Sequence, residues 1–469
     1  MRGVTPALII APPRGGGPAA RYTAEAVVRG FLGVPFAFED GEGAGWRITS
    51  PGRAGSMAFA DTFFARAAGH WLAPDTLPLE PPRLLAIEEV PFTFRNRGAS
   101  IPLLCADPVA PGVSAGAGTN AVEFGFDLFA SAFLMLSRYE EAVASARDAH
   151  GRFSAQQSLA ARHDFLERPV VHEWSELLAG ALEHLWPGTV PERQSFRMRV
   201  TCDVDYAHRH TRARTIAALR HAAGDLVKRG SPGGAAGHLR REGEALSLRS
   251  SPYNDLLWVM EENERAGNRV AFYFLAGRTD PRFDNQLYKI DDAPTAGLLR
   301  QVNKRGHEIG LHNSYGTLGD AEAIGKERRR LEEACASAGL PESPIGVRAH
   351  FLRYDPLLSP AAFEAAGLVY DTTLGFADAV GFRCGACQPY PMFDLTARRP
   401  LPVIERPLIA AEFTLLQKSY MGVTDLTVAA SRLSALKDAC RWAGGEFTLL
   451  WHNCFPTGGE REVYRALIN

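Results

Sequence analysis

From Phe196 onward the chain alternates short apolar runs with segments whose apolar residues recur every three or four positions. The runs are "FRMRVTCDV", "RVAFYFLAG", "HEIGLH", "GVRAHFLR", "LVYDTTLG", "PLPVIERPL" and "EFTLLWHN". Between several of them stand "NDLLWVMEENERAG", "DAEAIGKERRRLEEACASAG", "SPAAFEAAG" and "LTVAASRLSALKDACRWAG", each closing on Gly as helix C-termini often do. Strands alternating with helices predict βαβ units and a parallel sheet, and about seven repeats suffice for a barrel. In such barrels the chemistry gathers at the C-terminal ends of the strands. That is where this chain places its His, Asp and Arg residues.

Residues 1 to about 190 have a different texture. A strand-like "PALIIAP" and a helical "TAEAVVRGFLG" lead into Gly- and Pro-rich connections. Further on, "FDLFASAFLMLSRYEEAV" carries Phe126, Leu128, Phe129, Phe133, Leu136 and Tyr139 at helical spacing, and "VVHEWSELLAGALEHLWPG" repeats the pattern up to Pro187-Gly188. These stripes read as packing faces. His172, His184, Glu140 and Glu141 read as solvated or internally satisfied polar positions. The expected division is a smaller N-terminal α/β domain over 1–190 and a catalytic domain over 191–469.

With 469 residues the chain exceeds one ordinary core. Its 51 Lys and Arg against 53 Asp and Glu leave no electrostatic signature for nucleic acid or an acidic membrane surface. The opening "MRGVTPALIIAPPRGGG" has an apolar run too short for a membrane span or a secretory core, so the expectation is a soluble cytoplasmic protein. Seven cysteines, an odd number, agree with a reducing compartment. Cys384 and Cys387 form a "CGAC" pair with no second pair to complete a structural zinc site, and they read as incidental thiols rather than a redox centre.

The chemistry concentrates in "VTCDVDYAH", where Asp203 and Asp205 end a strand. Side chains alternate along a strand, so both carboxylates project to one side and need a cation or a shared proton. Arg197, Arg199 and Thr201 share that register, and Arg–Asp pairing would neutralise the charges by itself. Other strand ends change the weighting: "GHEIGLHNS" brings His312, "GVRAHFLR" brings Arg348 and His350, and "LLWHN" brings His452. Carboxylate and imidazole donors with an open position describe a catalytic divalent site, zinc first and other first-row metals next.

Those four segments, in that order and each ending a strand, resemble the NodB-type polysaccharide deacetylases, also called carbohydrate esterase family 4. The resemblance covers roughly residues 196–456. It implies a distorted, incomplete (β/α) barrel that removes N- or O-acetyl groups from sugars with one divalent metal ion. "LSRYEE", "RAHFLR" and "YDTTLGFADAVGFRCG" look like a bacterial subgroup of uncharacterised proteins with an extra N-terminal domain. Carried over, Asp203 matches the catalytic base and Asp205 the metal-binding aspartate. His312 matches the first histidine of the family's His-[Ser/Thr]-x-x-His motif, whose second would fall at Gly316. His350 is the first choice to fill that gap, with His208 and His210 as alternatives. Arg348 matches the arginine that orients the base, and the backbone N–H that follows it is a candidate oxyanion donor. His452 matches the histidine that protonates the leaving group, with Leu449 to Trp451 as a dry wall beside it.

Asp371, Asp378 and Arg383 have the composition of a sugar-binding loop, or equally of locally capped turns. The basic, Gly-interrupted stretch after Asp205 reads as a solvated loop first and as an anion-gripping lid second. The expected substrate is an acetylated sugar or polysaccharide intermediate. Two other classes stay open: a degenerate barrel that binds glycan or a partner without catalysis, and a metal amidohydrolase acting on a non-sugar amide.

Overall fold

In the computed structural model, described residues are 7–41, 43–116, 120–205, 219, 223, 252–284, 286, 288–453 and 458–469. The first half supplies strands β1 (Leu8–Ala11), β2 (Phe36–Phe38), β3 (Trp46–Thr49), β4 (Ser56–Phe59), β5 (Arg83–Ala86), β6 (Ser100–Leu103), β7 (Val113–Ala115) and β8 (Ala121–Phe124). Six of them form a mixed sheet in the order β2-β1-β3-β4-β8-β7, and β5 and β6 make a separate antiparallel ribbon. Most of these strands lie inside what the sequence reads as connections, because three or four residues are too short for a visible alternation.

The helical stripe of "FDLFASAFLMLSRYEEAV" is split. One helix runs Leu128–Leu136 and a second Tyr139–Val143. Between them Arg138 takes φ 57°, a left-handed conformation. Its guanidinium donates to the Met135 carbonyl (3.1 Å) and to Glu141 (2.8 Å), which turns the second helix away from the first. The helix Val170–Leu185 matches its periodicity, and nearly all of it is buried.

The second half supplies β9 (Arg197–Val204), β10 (Val270–Leu275), β11 (Glu308–Asn313), β12 (Gly346–Ala349), β13 (Tyr370–Asp371), β14 (Tyr390–Asp394), β15 (Arg399–Glu405), β16 (Ala410–Ala411) and β17 (Glu446–Leu450). They form one nine-stranded sheet in the order β14-β15-β13-β12-β11-β10-β9-β17-β16. The sheet is parallel except at β14, which pairs antiparallel with β15. Among the described residues β14 and β16 each have one neighbour, so the sheet is open, a half-barrel. Helices Pro252–Arg265, Ala293–Lys304, Ala321–Ser337 and Leu426–Ala443 fill the crossovers.

Along β9, Val200, Cys202 and Val204 enter the apolar core, while Arg199, Thr201 and Asp203 make polar contacts on the other face. Arg199 binds Glu308 (3.0 Å) toward the N-terminal end of the strands, so it does not neutralise the aspartates at the other end. Tyr273 and Tyr370 fill the same layer, their hydroxyls 3.1 Å apart. Added Cβ atoms at Gly310 and Gly346 would stand 2.5 and 2.0 Å from those rings, which is why the strands carry glycine there. The apolar core is continuous from the first sheet to the second: Trp46 and Phe133 belong to the same packed cluster as Phe272 and Leu449.

Candidate metal centre and its surroundings

Strand register sets the site. Leu275 lies opposite His312, and His312 opposite Arg348, so their side chains stand abreast. Leu450 lies opposite Thr201, which brings His452, two residues on, level with Asp203. The parallel strands thus deliver Asp203, Asp205, His312, His350 and His452 to one cleft of roughly 340 Å³.

Asp205, His312 and His350 each offer a donor atom, and these atoms lie within 4.8 Å of one another. Both imidazoles are held by their other nitrogen. His312 Nδ1–H donates to the Arg348 carbonyl at 2.7 Å, and His350 Nδ1–H donates to Asp284 Oδ1 at 2.9 Å. Nε2 of each is therefore the atom left to bind a cation, the arrangement that fixes tautomer and ring direction at metal sites. Burial, with His350 beside it, pushes His312 down to about 3, so it is neutral and ligand-ready at neutral pH. Asp284 stays well below the ordinary carboxylate range although burial opposes it, because His350 and the N–H groups of Asp280, Tyr315 and Thr279 donate to it. Two imidazoles and a carboxylate are a fitting donor set for zinc or a similar divalent ion.

Asp203 is buried beside this set. Its Oδ2 is 3.8 Å from His312 Nε2, 3.8 Å from Arg348 Nη1 and 4.0 Å from His452 Nε2. Its Oδ1 has no hydrogen-bond partner among the described residues. Arg348 Nη2 donates to Thr201 Oγ1 (3.1 Å) and Thr372 Oγ1 (3.3 Å). On the far side, Glu412 Oε1 accepts from both the backbone N–H (3.0 Å) and Nδ1–H (2.7 Å) of His452. Burial alone would lower the His452 pKa, but the Glu412 charge and hydrogen bond, with Asp205 and Asp203 nearby, push it up to about 10. A histidine so placed holds a proton and aims it into the cleft.

His350, the expected substitute, stands in the cluster with Asp205 and His312, and Gly316 contributes nothing to it: its N–H donates to Thr279 Oγ1 (2.7 Å). His208 and His210 lie outside the described residues. The N–H after Arg348, that of Ala349, is committed to Thr373 Oγ1 (2.9 Å) and does not face the cleft as an oxyanion donor. Of the expected dry wall, Leu450 and Trp451 line the cleft, while Leu449 lies in the core. Asp371, Asp378 and Arg383 are absent from the cleft lining. Asp371 is fully buried and accepts from the Thr373 N–H (3.0 Å) and hydroxyl (2.5 Å). Asp378 accepts the Ala155 N–H at 3.0 Å. Arg383 is buried in a two-pronged pair with Glu141. Their polar composition reflects internal partners that sequence spacing does not show.

The first-half residues also find internal partners: His172 Nε2 accepts from the Cys387 N–H (3.1 Å), His184 stacks on Phe92, and Glu140 accepts from the Leu159 N–H (2.7 Å). Cys384 and Cys387 are buried free thiols.

Glu412 and Asp284 escape the sequence reading. Glu412 follows directly on the two-residue strand β16, and Asp284 sits in the loop after β10 with no periodicity around it. The only available cue is that both follow strands of the parallel sheet. Phe413 and Tyr420, which also line the cleft, belong to the same unread stretch.

Comparison with known proteins adds the following. A family model described as a family of unknown function (DUF7033) matches residues 8–187. No curated protein matches the chain. Among solved structures, the fold is similar to a Mycobacterium smegmatis protein assigned as a polysaccharide deacetylase, at 18% identity and TM-score 0.38, over 59% of this chain and 84% of that one. It is also similar to Puue allantoinase, at 13% identity and TM-score 0.35, over 60% of this chain and 85% of that one. A Pseudomonas aeruginosa PAO1 protein assigned as a polysaccharide deacetylase gives 12% identity and TM-score 0.34, over 60% and 88%.

Proposed function

We propose that the protein is a divalent-metal-dependent hydrolase that removes acetyl groups from an acetylated sugar or polysaccharide intermediate in the cytoplasm. On this reading residues 191–469 are the catalytic domain, preceded by an N-terminal α/β domain over 1–190. The observation that carries it is the joint placement of three ligand atoms within 4.8 Å of one another and, beside them, a buried carboxylate oxygen without a partner. A divalent ion held by Asp205, His312 and His350, zinc by preference, would polarise the acyl carbonyl and acidify a water molecule.

The chain's own residues do the rest. Asp203 takes the proton of the attacking water on Oδ1, while Arg348 Nη1 stands 3.8 Å from its Oδ2. His452, kept protonated by Glu412, gives its proton to the departing sugar nitrogen or oxygen. Phe351, Phe413, Leu450 and Trp451 give the cleft apolar walls that exclude water from the reacting atoms.

The test offers zinc-loaded protein a panel of N-acetylated sugars, O-acetylated sugars and linear amides. The expected result is acetate release from a sugar, abolished by Asp205→Ala and cut about 10²–10⁴-fold by Asp203→Asn. No acetate from any sugar, or ammonia from the linear amides instead, would overturn the assignment.

A further inference from the structure

The turn that carries His350 is unusual in its backbone. Directly after β12, His350, Phe351 and Leu352 form a short 3-10 turn in which Phe351 has φ 61° and Leu352 φ 53°. Bulky side chains seldom occupy this left-handed region, and neither residue has the short polar side chain that eases it. Such a conformation persists only where its surroundings hold it.

What holds it comes from the first half of the chain. Arg152, itself buried, donates from Nη1 to the Phe351 carbonyl at 2.9 Å, while its Nε is fixed by Asp148 Oδ2 at 2.8 Å. One residue beyond the turn, Arg353 Nε donates back to the His150 carbonyl at 2.8 Å. The His150 ring packs on Phe351 with centroids 4.9 Å apart and on Phe283 at 5.4 Å, and Phe283 precedes the Asp284 that fixes His350 Nδ1. The loop over residues 148–152 therefore braces both the backbone of the third ligand and the neighbour of its hydrogen-bond acceptor. It lies within the stretch matched by the family of unknown function.

We infer that Arg152 is a positioning residue for His350. By tying down the Phe351 carbonyl it keeps the turn left-handed and stands the imidazole where Gly316 offers no donor. The N-terminal half thus completes the metal centre rather than accompanying it. This inference rests on reading Asp205, His312 and His350 as metal ligands.

The test measures zinc affinity of the full chain by competition with a chromophoric chelator, with the visible absorption of the cobalt(II)-substituted protein as a second readout. Arg152→Ala is expected to weaken zinc binding about tenfold, the scale of losing an outer partner of a ligand. Arg152→Lys, which keeps one donor, falls between it and the wild type, and Asp148→Asn, which leaves Arg152 less firmly held, costs less than Arg152→Ala. Arg162→Ala, a half-exposed arginine paired with Glu80 in the same half of the chain, is expected to leave affinity unchanged. Should Arg152→Ala fail to fold, zinc binding weaker than wild type in Arg152→Lys and Asp148→Asn supports the inference, and wild-type affinity in both overturns it. Unchanged affinity and cobalt spectra in the Arg152 and Asp148 variants, with the wild type binding normally, would overturn the inference alone. A wild type that binds no zinc would overturn the metal reading and this inference with it.

Discussion

Among the described residues, two of the buried arginine–carboxylate pairings are built differently. Arg383 and Glu141 close on each other, with Nε to Oε1 at 2.9 Å and Nη2 to Oε2 at 2.6 Å; Arg138 adds a further bond at 2.8 Å, and Arg383 Nη1 reaches the Gly375 carbonyl at 2.9 Å. Arg348 and Asp203 stand 3.8 Å apart, and Arg348 Nε and Nη1 and Asp203 Oδ1 have no hydrogen-bond partner among the described residues. A buried polar atom left unmade costs on the order of 1–3 kcal/mol. On the proposed function, Oδ1 of Asp203, a cleft-lining residue, is the atom kept for the attacking water. The closed pair is structural, and the proposed function assigns the open pair to the chemistry.

The largest effect that would break this contrast is Asp203→Asn. It is expected to lower kcat by about 10²–10⁴-fold, the share of a general base. Zinc content by atomic emission and the melting temperature should stay near wild type. The mirror experiment is Arg383→Leu, which leaves buried Glu141 with Arg138 as its remaining ion-pair partner and should cost about 3 kcal/mol in a urea melt while leaving kcat per folded molecule unchanged. If the two variants exchanged phenotypes, the contrast between the pairs would be wrong.

Glu412→Gln sharpens the account of His452. Burial opposes the charged imidazole and Glu412 sustains it, so the folded-state pKa, about 10, lies above the ordinary histidine value. Its contribution to stability is then complete in acid and is lost as pH rises through about 10. Activity that needs the protonated form fails on the same alkaline side. With Gln at 412 the alkaline limb of kcat should move to lower pH, read from a pH–rate profile, and an unmoved limb would remove His452 from its role as acid. The smallest expected effect is that of Gly316→His. An added Cβ would meet Thr279 Oγ1 at 2.8 Å, and the N–H of Gly316 is already committed to that atom, so a modest loss of melting temperature and no gain in zinc affinity are expected.

The sequence shows the parallel strands well because they are buried on both faces and read as continuous apolar runs ending in polar residues. Asp203, His312, Arg348 and His452 are legible for that reason: each ends or follows such a run. β14 carries Pro391 and is formed by pairing at the sheet edge, and β16 has only two residues, so neither announces itself locally. The same holds for the short strands of the first half. Arg383 misleads because its partner Glu141 is 242 positions away and "YDTTLGFADAVGFR" has the composition of an exposed loop. Asp284 and Glu412 act through histidines on other segments, a relation that exists only after folding.

The central claim is that Asp205, His312 and His350 hold one ion with Asp203 beside it. Anomalous scattering at the zinc edge from crystals of the zinc-loaded protein tests this directly. The account predicts a single strong peak bonded to Asp205 and to Nε2 of both histidines; a peak elsewhere, or none at this cleft, would contradict it.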